Sequence, residues 1–325
     1  MDIRPFSPAD LPINSDGSVY HLCISPADLA QNIVIVGDPD RVPLLAERFF
    51  KSIEVDVAHR GLRTITGRVG GSNLRVSLVT SGMGTPSLEI ILCELIALNE
   101  IDFERRVRKS HFDPLHIIRL GTSGGLRKEV PMGTLVITKY AVGMDNTGLF
   151  YEAPLSDPLC EALENEIKKR LDERLSSSRF LGKINPYCSV SDDSVISALA
   201  RSAERFNAPH AVGITVSNSG FFANQGRDIL RIPPSVRDLD RFFAEFELDD
   251  RFGDLCIQNM EMETSLLCHI CGGIGYKAGA VCTTIADRIN ERFDLNYKEN
   301  ILLGAKVALC ALSLLTDGED AFLDL

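Results

Sequence analysis

The chain has 325 residues, of which 45% are hydrophobic and 24% charged, and its formal net charge is −11. This composition is that of an ordinary globular protein and excludes collagen, coiled coil and disorder. So acidic a chain is a poor partner for nucleic acid or an anionic membrane surface, because both require a basic face. The best candidate for a membrane span, 301–315, is interrupted by Lys306 and predicts a buried helix instead.

The first residues lack a basic segment followed by an apolar core, so we expect no secretory signal and a cytoplasmic protein. The nine cysteines are then expected to be reduced thiols. Cys268-His269-Ile270-Cys271 resembles half of a zinc or redox site, but no partner pair lies at zinc-site spacing. We therefore expect no metal ion.

Predicted strands and helices alternate along the chain. Residues 1–31 contain four prolines and no sustained apolar period, which predicts an irregular arm. The strands that follow are predicted at 32–36, 74–80, 115–120, 134–138, 211–216 and 278–285, and the helices at 86–99, 159–175 and 297–315. Because no linker or break in composition separates them, we expect one α/β domain over 32–325, built on a central mixed sheet with flanking helices.

Two local patterns add detail. Thr85 is expected to cap the helix at 86–99, with Pro86 at its first position. The stretches 101–114 and 228–254 are charged, and we expect both to be excursions on the surface.

Three predicted strands are followed by glycine-rich segments, which we expect to be turns. They are Gly37-Asp38-Pro39-Asp40-Arg41, Ser81-Gly82-Met83-Gly84 and Arg119-Leu120-Gly121-Thr122-Ser123-Gly124-Gly125. Turns at the carboxyl ends of strands form the usual ligand crevice of such sheets, and glycine lets backbone N–H groups converge on an anion. Arg41 and Arg119 flank two of the segments, and a guanidinium matches phosphate oxygens bidentately. Any one segment alone favours an ordinary tight turn with a solvated arginine.

Together with Met260-Glu261-Met262-Glu263, these segments resemble the nucleoside phosphorylase family in order and approximate spacing. The resemblance runs from Tyr20-His21-Leu22 to Ile285 and implies the mixed, partly barrel-like sheet of that family. Residues 221–227 resemble the uridine phosphorylase branch, in which a Gln-x-Arg pair, here Gln225 and Arg227, recognises uracil. Glutamine can both donate and accept, and arginine can donate to a carbonyl, as the edge of uracil requires.

The resemblance implies reversible phosphorolysis of uridine to uracil and ribose 1-phosphate. Phosphate itself attacks the anomeric carbon, so neither a side-chain nucleophile nor a cofactor is implied, and catalysis depends on placement and charge stabilisation. The implied catalytic residues are Arg119, Glu263 and Arg227. The implied contacts are Gly37, Arg41, Arg60, Arg119 and Thr122 for phosphate; His21, Met83, Glu261, Met262 and Glu263 for ribose; and Phe221, Gln225, Arg227 and Ile285 for the base.

The resemblance also implies a homo-oligomer with shared active sites, in which Arg60 and His21 reach the neighbouring subunit. A dimer is favoured over a hexamer, with the arm 1–31 contributing to its interface. Gly61 stands where bacterial members often carry a glutamate that binds an interface cation, so the sequence leaves open whether that ion is bound here.

Several alternatives stay open at the level of sequence. Glu261 and Glu263 are two residues apart, so one of them is expected to be structural, and Glu263 is preferred for the ribose. Arg63 competes with Arg60 for the phosphate role. Asp287 stands where purine-cleaving relatives carry an acid, which keeps a purine nucleoside phosphorylase as the alternative. A nucleosidase and an inactive nucleoside-binding protein of the same fold are further alternatives.

Overall fold

The computed structural model describes residues 4–154, 157–318 and 321–325. These residues fall into two compact units, one within Met1–Ile117 together with Leu323–Leu325 and the other within Ile118–Phe322.

The first unit is built on a four-stranded sheet and a small hairpin. Its elements are β1 (Asn32–Val36), α1 (Arg41–Phe49), β2 (Phe50–His59), β3 (Leu62–Val69), β4 (Arg75–Thr80), α2 (Thr85–Glu100), β5 (Ile101–Asp102) and β6 (Val107–Arg108). The strand order is β1-β4-β3-β2, and β5 pairs with β6. β1 and β4 are parallel, whereas β3 and β2 follow as antiparallel neighbours. All five residues of β1 are buried, as the continuous β-branched run predicts.

The parallel pairing of β1 and β4 brings the turns that follow them to one edge of this sheet. A Cβ atom on Gly37 would lie 3.3 Å from the carbonyl oxygen of Gly82. The second turn leads into α2, whose N-cap is Gly84 at a φ of +87°, without a side-chain cap. The prediction that Thr85 caps this helix is therefore wrong by one residue, because the turn needs a backbone conformation that only glycine adopts easily.

The arm has no helix or strand in its described residues, apart from an isolated bridge between Ile13 and Val19. A small apolar cluster joins it to α2 and to the stretch 101–114; its buried members are Leu11, Ala97 and Ile101, with Phe6, Ile13 and Phe103 packed against them. Arg106 adds hydrogen bonds to the carbonyls of Phe6 and Ser7, at 2.7 and 2.9 Å. The arm is thus fastened to its own chain.

The second unit contains a closed ring of strands. Its elements are β7 (His116–Gly125), β8 (Leu135–Met144), α3 (Pro158–Arg174), β9 (Tyr187–Val190), α4 (Asp193–Arg205), β10 (His210–Asn218), α5 (Leu239–Ala244), β11 (Ile257–Glu261), α6 (Thr264–Ile274), β12 (Lys277–Asp287), β13 (Arg292–Phe293) and α7 (Lys298–Asp317). The strands run in the order β12-β8-β10-β11-β7, and an additional pairing of β12 with β7 closes them into a barrel. Parallel pairs (β8–β10, β10–β11) and antiparallel pairs (β7–β11, β8–β12) are both present. The mixed, partly barrel-like sheet is confirmed.

The stretch 228–254 is not a surface excursion, so that prediction is wrong. Phe242, Phe243, Phe246 and Phe252 from this stretch are buried in one cluster with Leu163, Ile167 and Leu171 of α3. The exposed residues Ile229, Leu230 and Ile232 precede this buried part. The charged residues of the stretch therefore flank an aromatic segment that completes the core.

The last helix, α7, is long and apolar enough to span a membrane by length and composition. However, 61% of its apolar window is buried inside the structure, and it packs against α4 and β12. It is the buried helix that the sequence predicts at 297–315.

Candidate active site

A buried arginine lies between two carboxylates in the second unit. Arg119 is 4% exposed. Its Nη1 lies 3.1 Å from Glu261 Oε2, and its Nη2 donates to Glu263 Oε2. Burial alone would lower the pKa of Arg119, but the charges of Glu263 and Glu261 outweigh this, so its pKa is raised above the ordinary value. Arg119 is thus a permanent cation whose charge is already paired, and its burial alone does not require a bound anion.

The glycines after Arg119 serve close packing rather than a turn. β7 continues to Gly125, and Gly124 and Gly125 pair with Met260 and Asn259 of β11, so the predicted turn is wrong. Gly121 is two residues from Arg119 on the same face of the strand, where a Cβ would overlap the guanidinium. The glycine-rich segment, which resembles a phosphate-binding loop in the sequence, is therefore part of a paired strand.

Glu261 is engaged within the protein. Its carboxylate accepts hydrogen bonds from the backbone N–H groups of Glu263 and Thr264, at 2.9 and 3.1 Å, and from the Ser217 hydroxyl. A carboxylate is stabilised at this place because the N–H groups at the start of α6 point towards it. Glu261 thus orients Arg119 and the turn that carries Glu263, which matches a structural role for one of the two glutamates.

Three further predicted residues lie on strands or turns of the same unit. Thr122 on β7, Met262 between β11 and α6, and Ile285 on β12 are each half-buried.

Three of the four residues predicted to contact the base, Phe221, Gln225 and Arg227, lie together around one turn. Residues Ala223–Gln225 form a 3₁₀ turn that ends at Gly226, whose φ is +76°. Gln225 is 4% exposed, and its Oε1 accepts a hydrogen bond from Arg227 Nη1 at 2.8 Å. The Arg227 guanidinium lies 3.8 Å from the centre of the Phe221 ring and donates to the Phe221 carbonyl. An amide, a guanidinium and an aromatic ring are thus available in one place.

Arg227 lies beside a second arginine, which the predicted site residues did not include. Arg288 Nη2 donates to the Gln225 carbonyl at 3.0 Å and to Asp240 Oδ2 at 2.7 Å. Partial burial and the charge of Arg288 lower the pKa of Arg227 to about 10, while Asp240 opposes the shift. Arg227 is still protonated at neutral pH. In the sequence, only its position next to Asp287 drew attention to Arg288. The contact of Arg288 with the Gln225 turn, 63 residues away, arises from the tertiary structure.

The Asp287 carboxylate is engaged in hydrogen bonds within its own turn. Its carboxylate accepts from the backbone N–H of Ile289 and of Asn290, at 3.1 and 2.9 Å, and from Asn290 Nδ2 at 2.7 Å. Partial burial alone would raise the pKa of Asp287, but these hydrogen bonds outweigh it and lower the pKa. The group is therefore ionised and poorly suited to donate a proton.

In the first unit, two predicted phosphate residues follow β1. Gly37 lies directly after the strand and Arg41 begins α1. Arg41 Nε is 3.7 Å from Asp38 Oδ2, and the Arg41 side chain is 12% exposed. Met83, in the turn after β4, is 80% exposed.

Arg60 lies at the tip of the β2–β3 hairpin, where its φ is +54°. Its Nη1 lies 3.2 Å from the Tyr20 hydroxyl, and the guanidinium packs over the Tyr20 ring. The neighbouring Arg63 donates from Nε and Nη2 to the two carboxylate oxygens of Asp56, at 2.9 and 2.8 Å. Of the two competing arginines, Arg60 is thus held by the weaker contacts.

His21 is tied to α2 by Glu94. The His21 Nδ1 and backbone nitrogen both lie 2.8 Å from Glu94 Oε1. The side chain of His21 remains 28% exposed, so Glu94 holds one edge of the ring in place.

The Cys268–Cys271 segment is part of α6. Cys268 and Cys271 are buried, and burial raises the pKa of the Cys268 thiol to about 12. His269 Nε2 lies 2.8 Å from the Tyr151 carbonyl oxygen and its Nδ1 3.3 Å from Ser189 Oγ. Within residues 4–154, 157–318 and 321–325, no three His, Cys, Asp or Glu side chains are grouped to hold a metal ion.

Comparison with known proteins gives consistent matches. A family model described as the phosphorylase superfamily matches residues 32–314. The uridine phosphorylase of Thermococcus kodakarensis is 27% identical over 311 residues, which cover 96% of this chain and 92% of that protein. The uridine phosphorylase of Escherichia coli is 25% identical over 279 residues, covering 85% of this chain and 89% of that protein.

Solved structures show the same likeness. A nucleoside phosphorylase from Trypanosoma brucei, described as showing uridine phosphorylase activity, superposes with a TM-score of 0.83 at 30% identity, covering 93% of this chain and 99% of that one. A uridine phosphorylase structure from Phytophthora capsici superposes with a TM-score of 0.68 at 22% identity, covering 94% and 98%, and supports the fold alone. The α/β fold class predicted from the sequence is confirmed.

Proposed function

The chain belongs to the phosphorylase superfamily, and we propose that it is a uridine phosphorylase, a pentosyltransferase that converts uridine and phosphate reversibly into uracil and ribose 1-phosphate. The observation that carries this proposal is the Gln225–Arg227 turn, in a chain whose relatives are named for that activity. The reaction serves pyrimidine salvage.

Arg227 supports the departure of the base. As the glycosidic bond breaks, uracil gains negative charge, which a positive group at hydrogen-bond distance stabilises. Arg227 supplies that charge, and Gln225 supplies the donor and acceptor that match the edge of uracil. Phe221 and Ile285 add apolar contact for the base.

Glu263 and Arg119 act on the sugar and the phosphate. Glu263 accepts hydrogen bonds from the ribose hydroxyls, and Met262, Met83 and His21 complete the ribose contacts. Glu261, which was also predicted for the ribose, acts indirectly by orienting Arg119 and the turn that carries Glu263. Arg119 Nε, which has no partner among the described residues, is the donor available to an anion. Since two carboxylates outweigh the charge of Arg119, phosphate needs further donors, and Gly37, Arg41, Arg60 and Thr122 take that role.

A purine substrate fits this chain less well. Purine nucleosides depart more readily once the base is protonated, which requires an acid. Asp287 is the candidate acid, and its three hydrogen bonds and lowered pKa hold it ionised.

We further propose that the enzyme works without a cofactor, in the cytoplasm, as a homodimer. Its active sites are shared, with Arg60 and His21 serving the neighbouring subunit and the arm 1–31 lying at the interface.

The test follows the ultraviolet absorbance of uridine and inosine, each with and without phosphate. We expect uridine to be consumed only when phosphate is present, and inosine to be stable. Cleavage without phosphate would identify a nucleosidase, and inosine cleavage a purine enzyme. No change in any mixture, together with measurable uridine binding, would identify an inactive binding protein.

A further inference from the structure

We propose that Asp240 is a positioning residue for base recognition: it holds Arg288 and the Gly226 turn, and through them fixes Gln225 and Arg227. This inference rests on the proposed function, because it concerns how that same site reads its base. Asp240 lies in the stretch 228–254, outside every segment that suggested a catalytic role from the sequence.

The first support is a chain of short contacts. Arg288 Nη2 bridges Asp240 Oδ2, at 2.7 Å, and the Gln225 carbonyl, at 3.0 Å. The side chains of Arg288 and Asp240 are only 19% and 14% exposed. A charge-assisted hydrogen bond that is largely shielded from water is stronger and more directional than an exposed ion pair. Asp240 therefore fixes the guanidinium that in turn holds the backbone of Gln225.

The second support is direct packing on the turn. A Cβ atom on Gly226 would overlap Asp240 Oδ1 and would lie 3.0 Å from the Asp240 backbone nitrogen. Gly226 also has a φ of +76°, a conformation that glycine adopts without strain. The turn between Gln225 and Arg227 is thus shaped against Asp240.

The third support is the anchoring of Asp240 itself. It is the second residue of α5 (Leu239–Ala244), whose Leu239, Phe242 and Phe243 are buried in the aromatic cluster with α3. A carboxylate on a helix held by three buried side chains moves little. The buried residues of α5 therefore fix the position of Asp240, and Asp240 in turn fixes the base-recognition turn.

The charges of Arg227, Arg288 and Asp240 also support a positioning role for Asp240. Partial burial and the nearby charge of Arg288 both lower the pKa of Arg227, and the charge of Asp240 opposes that shift. Without the carboxylate, two guanidinium groups would repel each other in a half-buried turn. Arg288 would then leave the Gln225 carbonyl, and Arg227 would lose its fixed orientation.

The experiment compares Asp240→Asn, which keeps the size but removes the charge, with the wild-type enzyme. We expect KM for uridine to rise about tenfold, as the loss of a charge-assisted contact implies, with KM for phosphate within about twofold of wild type. Asp240→Glu keeps the charge on a longer arm and should lie between the two. If Asp240→Asn does not fold, Arg288→Lys, which keeps the charge but loses the fork, should produce the same selective rise.

Asp249→Asn is the matched control. Asp249 belongs to the same stretch and carries the same charge, but its pair with Arg251 is exposed, with side chains 50% and 62% accessible. It should leave both KM values unchanged. Asp240→Asn with a uridine KM within twofold of wild type would overturn the proposal, as would an equal rise in both KM values, which indicates general loosening. Both results still require uridine turnover by the wild-type enzyme, so they are distinct from failure of the proposed function.

Discussion

Arg119 carries its charge at the centre of a buried cluster, where two glutamates and a cysteine sulfur contact its guanidinium. Removing it would leave the Glu261 and Glu263 carboxylates buried without their cation. Breaking a buried ion pair by removing one partner costs about 3–5 kcal/mol. Arg119 thus stabilises the fold as well as serving the proposed reaction. An alanine substitution alone would therefore not separate the two roles.

We therefore expect Arg119→Ala to lower the free energy of unfolding by about 3–5 kcal/mol and to abolish turnover. Arg119→Lys keeps the charge but loses the planar fork. It should retain most of the stability while lowering kcat by about a hundredfold, the effect of one misplaced stabilising donor. Thermal melting and kcat measured on both variants check this. An active, fully stable Arg119→Ala protein would remove Arg119 from both roles.

Gln225 gives a separate test of base recognition. Gln225→Ala removes an amide that is buried in the turn, leaving the edge of the base without its partner. We expect kcat/KM for uridine to fall about thirtyfold, since an unpaired buried polar group costs about 2 kcal/mol. KM for phosphate should hardly change. Asn224→Ala in the same turn, whose side chain bonds to Ser219, is the control, and equal kinetics for the two variants would place base recognition elsewhere.

The base-recognition turn depends on a glycine that lies against a neighbouring element. Gly226→Ala adds a methyl group at positive φ and pushes it into Asp240 of α5. Gly182→Ala is the matched variant, because its φ is +73° but nothing lies within 4 Å of the added Cβ. Both should lose about 1 kcal/mol of stability through backbone strain. Only Gly226→Ala should also raise KM for uridine severalfold; a similar KM for both variants would contradict the importance of that contact.

Elements with a continuous pattern could be predicted from the sequence, and those defined by tertiary contacts could not. The buried run of β1 is visible in the sequence itself, as is the four-residue spacing of Leu159, Leu163, Ile167 and Leu171 in α3. The hairpin β2–β3 was not predicted, because β2 is mostly exposed and lacks the continuous apolar run that marks β1. In the site, Gln225 and Arg227 were predicted through a motif, whereas Arg288 and Asp240 meet that turn only through folding. Residues Gly121–Gly125 were misassigned, since local sequence does not distinguish a glycine kept for packing from one kept for a turn.

The proposed dimer with shared active sites depends on Arg60. Among the residues that the structure describes, Arg60 contacts Tyr20 at an exposed position, which leaves its guanidinium able to serve a neighbouring subunit. In such a dimer, Arg60 and Arg119 of one chain serve different active sites.

Mixed dimers of Arg60→Ala and Arg119→Lys should therefore recover activity, because one of their two sites contains neither substitution. Up to half the activity of a wild-type dimer is expected per hybrid, once hybrids are separated by distinct affinity tags. The corresponding homodimers, purified in the same way, are the control. Hybrids that are no more active than the homodimers would place Arg60 and Arg119 in the same site or outside it.

Transfer of the ribosyl group to phosphate is tested most directly by phosphorus nuclear magnetic resonance of the enzyme with uridine and inorganic phosphate. A phosphorolytic enzyme transfers the ribosyl group to phosphate, so the inorganic phosphate signal should decrease as a sugar phosphate signal grows. One ribose 1-phosphate should form for each uracil released, and uridine should form again when those two products are supplied. Uracil released while the phosphate signal stays constant would contradict phosphorolysis.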